Sequence, residues 1–221
     1  PVQTFVTPYD EDLISSVISR ELSRNGQAYV ISNRVRGIKD IAENIQHLVP
    51  EARVAVGHGQ MGEKTLENVM IDFTEGKTNV LVATTIIENG IDIPNANTII
   101  ILNADRFGLS QLYQLRGRVG RSDKLAYAYL MYDPQKQLTE IAEKRLSTIR
   151  EFTEFGAGFK ISMRDLELRG AGNVLGEAQS GHIAGIGYEL YCKEIDRAVR
   201  KLKGETVTET RAEITINLDL P

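Results

Sequence analysis

The sequence predicts an α/β fold in which a parallel sheet is flanked by helices, and three observations carry the prediction. Apolar, β-branched runs recur at residues 5–7, 28–32, 53–57, 80–84, 98–102 and 126–131, as strands do. Between most of them, apolar residues fall at helical intervals. The runs Val80-Leu81-Val82-Ala83 and Ile99-Ile100-Ile101-Leu102 show no polar alternation, which marks central strands covered on both faces.

Taken in order, the first strand gives way to Asp10-Glu11-Asp12, whose charges suit the positive end of a helix and are read as that rather than as a metal site. Leu13, Ile14, Val17, Ile18 and Leu22 then share a helical face. Ile38, Ile41, Ile45 and Leu48 follow the second strand with the same period, and Leu66, Val69, Met70 and Phe73 follow the third. After the sixth strand, Asp133-Pro134 changes the texture. A helix is expected from residue 135 to about 155, then a glycine-rich segment, then a second helix around residues 188–203, the two helices forming a hairpin with a glycine-rich hook. Eight of the 19 glycines lie between residues 156 and 187, where missing side chains permit close approach. Ile214, Ile216, Leu218 and Leu220 alternate with polar residues, as in an extended segment. The expected organisation is residues 1–134 as one α/β domain, 135–204 as hairpin and hook, and 205–221 as a linker to a further domain.

The 221 residues, 42% hydrophobic and 25% charged, have the composition of a folded globular chain. Lys+Arg 26 against Asp+Glu 30 gives a net charge of −4, which excludes a uniformly basic nucleic-acid coat and leaves local patches. The single cysteine, Cys192, permits neither an internal disulfide nor a cysteine-based zinc site and fits a reducing compartment, the cytoplasm being expected. No apolar run approaches the roughly 20 residues of a membrane span. The chain starts at Pro1, already in a strand, and is expected to be a piece of a longer polypeptide.

Three stretches carry chemistry. Gly57-His58-Gly59-Gln60-Met61-Gly62 matches the dinucleotide fingerprint G-x-G-x-x-G, but the next strand ends in Thr84-Thr85 where that site needs an acid for the ribose. A tight turn, or a turn bringing backbone N–H groups and His58 to a phosphate, accounts for it better. Thr84-Thr85-Ile86-Ile87-Glu88-Asn89-Gly90-Ile91-Asp92 follows a buried strand, where α/β sheets place ligands, and offers hydroxyls, a glycine and a carboxylate. Gln111-Leu112-Tyr113-Gln114-Leu115-Arg116-Gly117-Arg118-Val119-Gly120-Arg121 lies in a locally basic region, residues 104–124, with Arg106, Arg116, Arg118, Arg121 and Lys124 against Asp105 and Asp123. Guanidinium groups at a glycine-broken helix end suit phosphate oxygens and the charge that develops in phosphoryl transfer.

In this order the stretches resemble the second RecA-like domain of superfamily 2 helicases and translocases: a strand ending in Ser32-Asn33-Arg34, then His58-Gly59, then Thr84-Thr85 through Asp92, then the Gln114-to-Arg121 element. The resemblance implies that Gln114, Arg118 and Arg121 belong to the family's final motif, the arginines reaching ATP phosphates and one acting as an arginine finger. Gly90 and Asp92 match the motif that couples the nucleotide to DNA. Gly156-Ala157-Gly158, Asp165-Leu166-Glu167-Leu168-Arg169-Gly170-Ala171-Gly172 and Gln179-Ser180-Gly181 are similar to the translocation module shared by the fork-reversing helicase RecG and the bacterial transcription-repair coupling factor, with the coupling factor the better fit.

That resemblance implies the C-terminal motor half of an ATP-dependent double-stranded DNA translocase, acting in removal of stalled RNA polymerase and recruitment of nucleotide excision repair proteins through other domains. Ser32, Asn33, Arg34, His58, Gly59, Thr84 and Thr85 are the expected DNA contacts, and Arg145, Arg169 and Gln179 the expected coupling residues of the module. No G-x-x-x-x-G-K-[ST] phosphate loop occurs, so ATP and Mg²⁺ are expected on a partner domain and the piece alone is expected to be inactive. RecG-like fork reversal, a non-enzymatic DNA-binding or docking module, and a nucleotide-cofactor oxidoreductase are the alternatives.

Overall fold

The computed structural model describes residues 2–85, 93–151 and 158–169. The chain divides into two compact units, residues 1–169 and 170–221, and every described residue belongs to the first. Strands β1 (Val2–Pro8), β2 (Gln27–Ile31), β3 (Val54–Gly57), β4 (Val80–Ala83), β5 (Ala96–Ile101) and β6 (Ala126–Tyr132) form one sheet in the order β1-β6-β5-β2-β4-β3. All pairings are parallel. The fold is the parallel RecA-like α/β architecture that the resemblance implies.

β2, β4 and β5 are buried at every residue and lie inside the sheet, which is why their sequences carry no polar alternation. Successive side chains point to opposite faces and feed two cores. On one face Val30, Val80, Val82 and Ile100 meet α1 (Glu11–Ser23) and α2 (Ile38–Leu48) through Ile14, Ile18, Ile38 and Ile45. On the other, Tyr29, Leu81, Ile99 and Leu130 meet Phe73 of α3 (Glu63–Thr74) and Leu112 and Leu115 of α4 (Leu109–Arg116).

The acidic run at residues 10–12 proves to be a cap. Asp10 accepts from the backbone N–H of Asp12 (2.9 Å) and of Leu13 (3.2 Å), satisfying two amides that the helix cannot, a cap of about 1 kcal/mol.

Beyond β6 the chain departs in detail from expectation. The helix expected from residue 135 starts later, as α5 (Glu140–Glu151), because Asp133 holds the preceding residues in a turn. Its carboxylate accepts from Gln135 N–H (2.9 Å) and pairs with Lys136 (3.2 Å). A further helix, α6 (Gly158–Arg169), starts inside the glycine-rich stretch. Leu146 and Ile149 of α5 and Ile161 of α6 belong to the same core cluster as Ile99 and Leu130. These two helices therefore share the sheet's own core. The helix expected around residues 188–203, the hook and the linker lie outside the described residues.

Candidate functional site

Two edges of the sheet hold the residues singled out by sequence. Gly57, Ala83, Ile31 and Ile101 stand in register at the carboxyl ends of β3, β4, β2 and β5. One residue further on come His58, Thr84, Ser32 and Leu102. The backbone keeps the row aligned past the strands: Thr84 N–H donates to Gly57 (3.3 Å), Ser32 N–H to Ala83 (2.9 Å) and Leu102 N–H to Ile31 (2.9 Å). His58, Thr84 and Ser32 are thus neighbours although 52 residues of sequence span them.

Their hydrogen bonds give each a different capacity. The Ser32 hydroxyl, 4% exposed, donates to the Arg34 carbonyl (3.1 Å) and accepts from Arg34 N–H (3.3 Å). Its one proton is used, so Ser32 shapes the turn that presents half-buried Asn33 and exposed Arg34. His58 Nδ1 accepts from Gln60 N–H (3.3 Å), which places the ring proton of the neutral imidazole on Nε2 as a donor. Thr84 is buried, Thr85 half-buried and Gly59 exposed. The third glycine of the 57–62 fingerprint, Gly62, precedes α3, and a Cβ there would meet only Thr65 Oγ1 at 3.9 Å. It lacks the tight helix–strand packing that the dinucleotide motif demands of its last glycine.

The arginine element occupies the opposite, amino edge. α4 runs back along the sheet from the end of β5, and residues 117–125 lead into β6. Gly120 has φ +80°, and a Cβ there would stand 2.8 Å from Val2 Cγ2, at the start of β1. Ser122 Oγ donates to Asn97 Oδ1 (3.1 Å) at the start of β5, and Arg24 Nη2 donates to the Leu125 carbonyl (2.7 Å). At about 3.3 Å per residue, β5 alone keeps the two edges roughly 17 Å apart.

Within this element the arginines differ. Arg121 is exposed, its Nε donating to the Gly117 carbonyl (3.0 Å), and Arg118 is half-buried. Gln114 is exposed on α4. The guanidinium groups of Arg118 and Arg121 on a glycine-bounded turn suit the phosphate oxygens of a nucleotide. Arg116 behaves otherwise. It is 5% exposed, its Nη1 donates to the Ile149 carbonyl (2.7 Å), and burial pulls it below its ordinary pKa. Of the basic region at residues 104–124, Arg116 therefore contributes no exposed charge.

Arg145 on α5 is half-buried, its Nε enclosed with no hydrogen-bond partner among the described residues. Arg169 closes α6, its side chain outside the described residues. Gly90, Asp92 and Gln179 also lie outside them. Among the described residues no group of three or more His, Cys, Asp or Glu side chains could hold a metal ion. No described helix is long and apolar enough to cross a membrane.

Sequence reasoning missed a cavity of about 460 Å³ at the carboxyl ends of β5 and β6, with Ile14, Ile41, Ile45 and Leu102 as apolar wall and Asn103 and Asp133 among its polar lining. Its walls come from separate segments, so no local pattern announces it.

Residues 11–123 match the model of the helicase conserved C-terminal domain, more than half of the chain. The chain belongs to that family. It is 54% identical over 220 residues to the transcription-repair-coupling factor of Bacillus subtilis (strain 168), covering 100% of this chain and 19% of that protein. The corresponding protein of Staphylococcus haemolyticus (strain JCSC1435) is 52% identical over 222 residues, covering 99% of this chain and 19% of that one. The chain thus spans about a fifth of the length of these relatives. Among solved structures, RecG bound to a three-way DNA junction matches with a TM-score of 0.68 and 34% identity, covering 84% of this chain and 25% of that one. The C-terminal domain of the DEAD-box protein Dbp5 shares the fold, with a TM-score of 0.52 and 16% identity over 69% of this chain and 87% of that one.

Proposed function

We propose that this helicase domain is the C-terminal motor half of a bacterial, cytoplasmic, ATP-dependent double-stranded DNA translocase of the coupling-factor kind, which removes stalled RNA polymerase and recruits nucleotide excision repair proteins through other domains. The observation that carries the reading is the arginine turn at the amino edge in a chain with no phosphate loop. Such a turn acts on a nucleotide held elsewhere. ATP and Mg²⁺ would sit mainly on a partner domain, and bound ATP supplies the phosphoryl group whose transfer releases the energy of stepping. Arg118 and Arg121 would reach its phosphates on domain closure, one of them as the arginine finger, with Gln114 beside them on α4. Gly90 and Asp92 would link this contact to the DNA.

The carboxyl edge would carry the track. Thr84, Thr85, the Nε2 proton of His58, Asn33 and the backbone of Gly59 are neutral groups that grip phosphates without reading sequence, with Ser32 fixing their turn and Arg34 adding one charge. Residues 135–204 would form the translocation module, in which Arg145, Arg169 and Gln179 transmit closure to the DNA. Identity to coupling factors over essentially the whole chain favours this reading over RecG-like fork reversal. In a triplex-displacement assay the full-length protein should strip the third strand from duplex DNA only with hydrolysable ATP; displacement without ATP, or none at all with a functional ATPase, sinks it.

A further inference from the structure

Arg116 poses a problem that the proposed function leaves unsolved. A guanidinium 5% exposed is costly to bury, and among the described residues no carboxylate pairs with it. What it meets instead is the carbonyl of Ile149 on α5. A charge-assisted hydrogen bond to a carbonyl offsets part of that cost. Arg116 ties the end of α4 to α5.

Arg116 is not the only such link. Residues 110, 113 and 116 lie three apart on α4 and so share one face. Ser110 Oγ donates to Asp165 Oδ2 of α6 (3.3 Å). The Tyr113 ring lies against Gly158, the first residue of α6, where a Cβ would stand 3.2 Å from the ring. The Arg116 guanidinium lies 5.5 Å from the same ring centroid. One face of α4 is therefore held at three points by α5 and α6, and the last of the three sits directly before Gly117. The far end of the turn is pinned separately, at Gly120 against Val2 and at Ser122 on Asn97, so this hold sets its near end.

We propose that Arg116 is a positioning residue for the arginine turn: by holding the Ile149 carbonyl of α5 it fixes where residues 117–121 leave α4, and so where Arg118 and Arg121 stand. Arg116 itself does not touch nucleotide. The inference rests on the proposed role of Arg118 and Arg121, and its test separates the two.

In the full-length protein, Arg116→Met removes the hydrogen bond to Ile149 but keeps much of the bulk, and Arg116→Gln keeps an amide donor that eases folding. Arg116→Met is expected to lower kcat for DNA-stimulated ATP hydrolysis about 10- to 100-fold, the effect of a small misplacement of a catalytic group. KM for ATP should stay within about twofold, since the nucleotide is held mainly elsewhere. Arg116→Gln should fall between Met and wild type. Hydrogen exchange at residues 117–121 should quicken in both variants while β2 and β5 keep their protection, a local signature that general destabilisation does not produce. If Arg116→Met does not fold, the Gln variant decides: wild-type kcat with wild-type exchange at 117–121 overturns the proposal, as does exchange raised equally throughout. Arg121→Ala is the parallel arm. Normal turnover in Arg121→Ala overturns the arginine-finger reading; lost turnover there with normal kcat in the Arg116 variants overturns the positioning role alone.

Discussion

The two edges of this sheet are built on different principles. The carboxyl edge is a row of short loops aligned by strand register, with polar groups at His58, Thr84 and Ser32 and the exposed Arg34 and Arg36 in the loop after β2. The amino edge is a single long turn, pinned by Ser122 to Asn97, by Arg24 to the Leu125 carbonyl and by Gly120 against Val2, and it carries concentrated charge. On the proposed reading the difference follows from what each edge must do. Contacts that slip along a track must be weak and alike; a contact that stabilises developing charge must be strong and fixed in place.

The largest effect that breaks the comparison belongs to the amino edge. Arg121→Ala in the full-length protein should leave nucleotide binding nearly intact and cut hydrolysis by about 10³-fold or more, read by turnover beside a binding titration. Next comes Gly120→Ala, which forces a side chain onto φ +80° and toward Val2. It should destabilise the chain by about 1–3 kcal/mol, read from its denaturant midpoint.

Smaller effects sharpen the carboxyl edge. Thr84→Val keeps the shape and deletes the hydroxyl, so DNA affinity should fall by about 0.5–1.5 kcal/mol. The dependence of that affinity on salt should not change, because a neutral donor releases no counterion. Arg34→Ala should have the smallest effect on affinity at moderate salt, yet lower the slope of log K against log salt by about 0.9. Equal slopes for the two variants would show that the edge does not divide its contacts into neutral and charged.

Much of this architecture is legible in the sequence. All six strands stand out because a buried parallel strand is a short apolar run that little else imitates, and α1 to α3 because each has one apolar face. What was missed has physical causes. Seven residues after β6 are spent on the Asp133 turn and its continuation before α5 begins, and turn hydrogen bonds of this kind resemble helix-start chemistry in sequence. α6 was hidden because the glycines were counted together, although residues 159–169 contain none. Arg116 looked like its neighbours because burial of a cation depends on a carbonyl 33 residues away. The split between edges, by contrast, was available to be read: in a parallel sheet whatever follows a strand lies at the carboxyl edge and whatever immediately precedes one lies at the amino edge, and Arg121 stands five residues before β6.

One titration tests the division of labour most directly. ATP hydrolysis by the full-length protein, measured against duplex DNA concentration for wild type, Thr84→Val and Arg121→Ala, should separate the edges. Thr84→Val should reach wild-type kcat at higher DNA concentration, and Arg121→Ala should stay inactive at every concentration. An Arg121→Ala protein rescued by more DNA, or a Thr84→Val protein whose kcat stays depressed at saturation, would contradict the account.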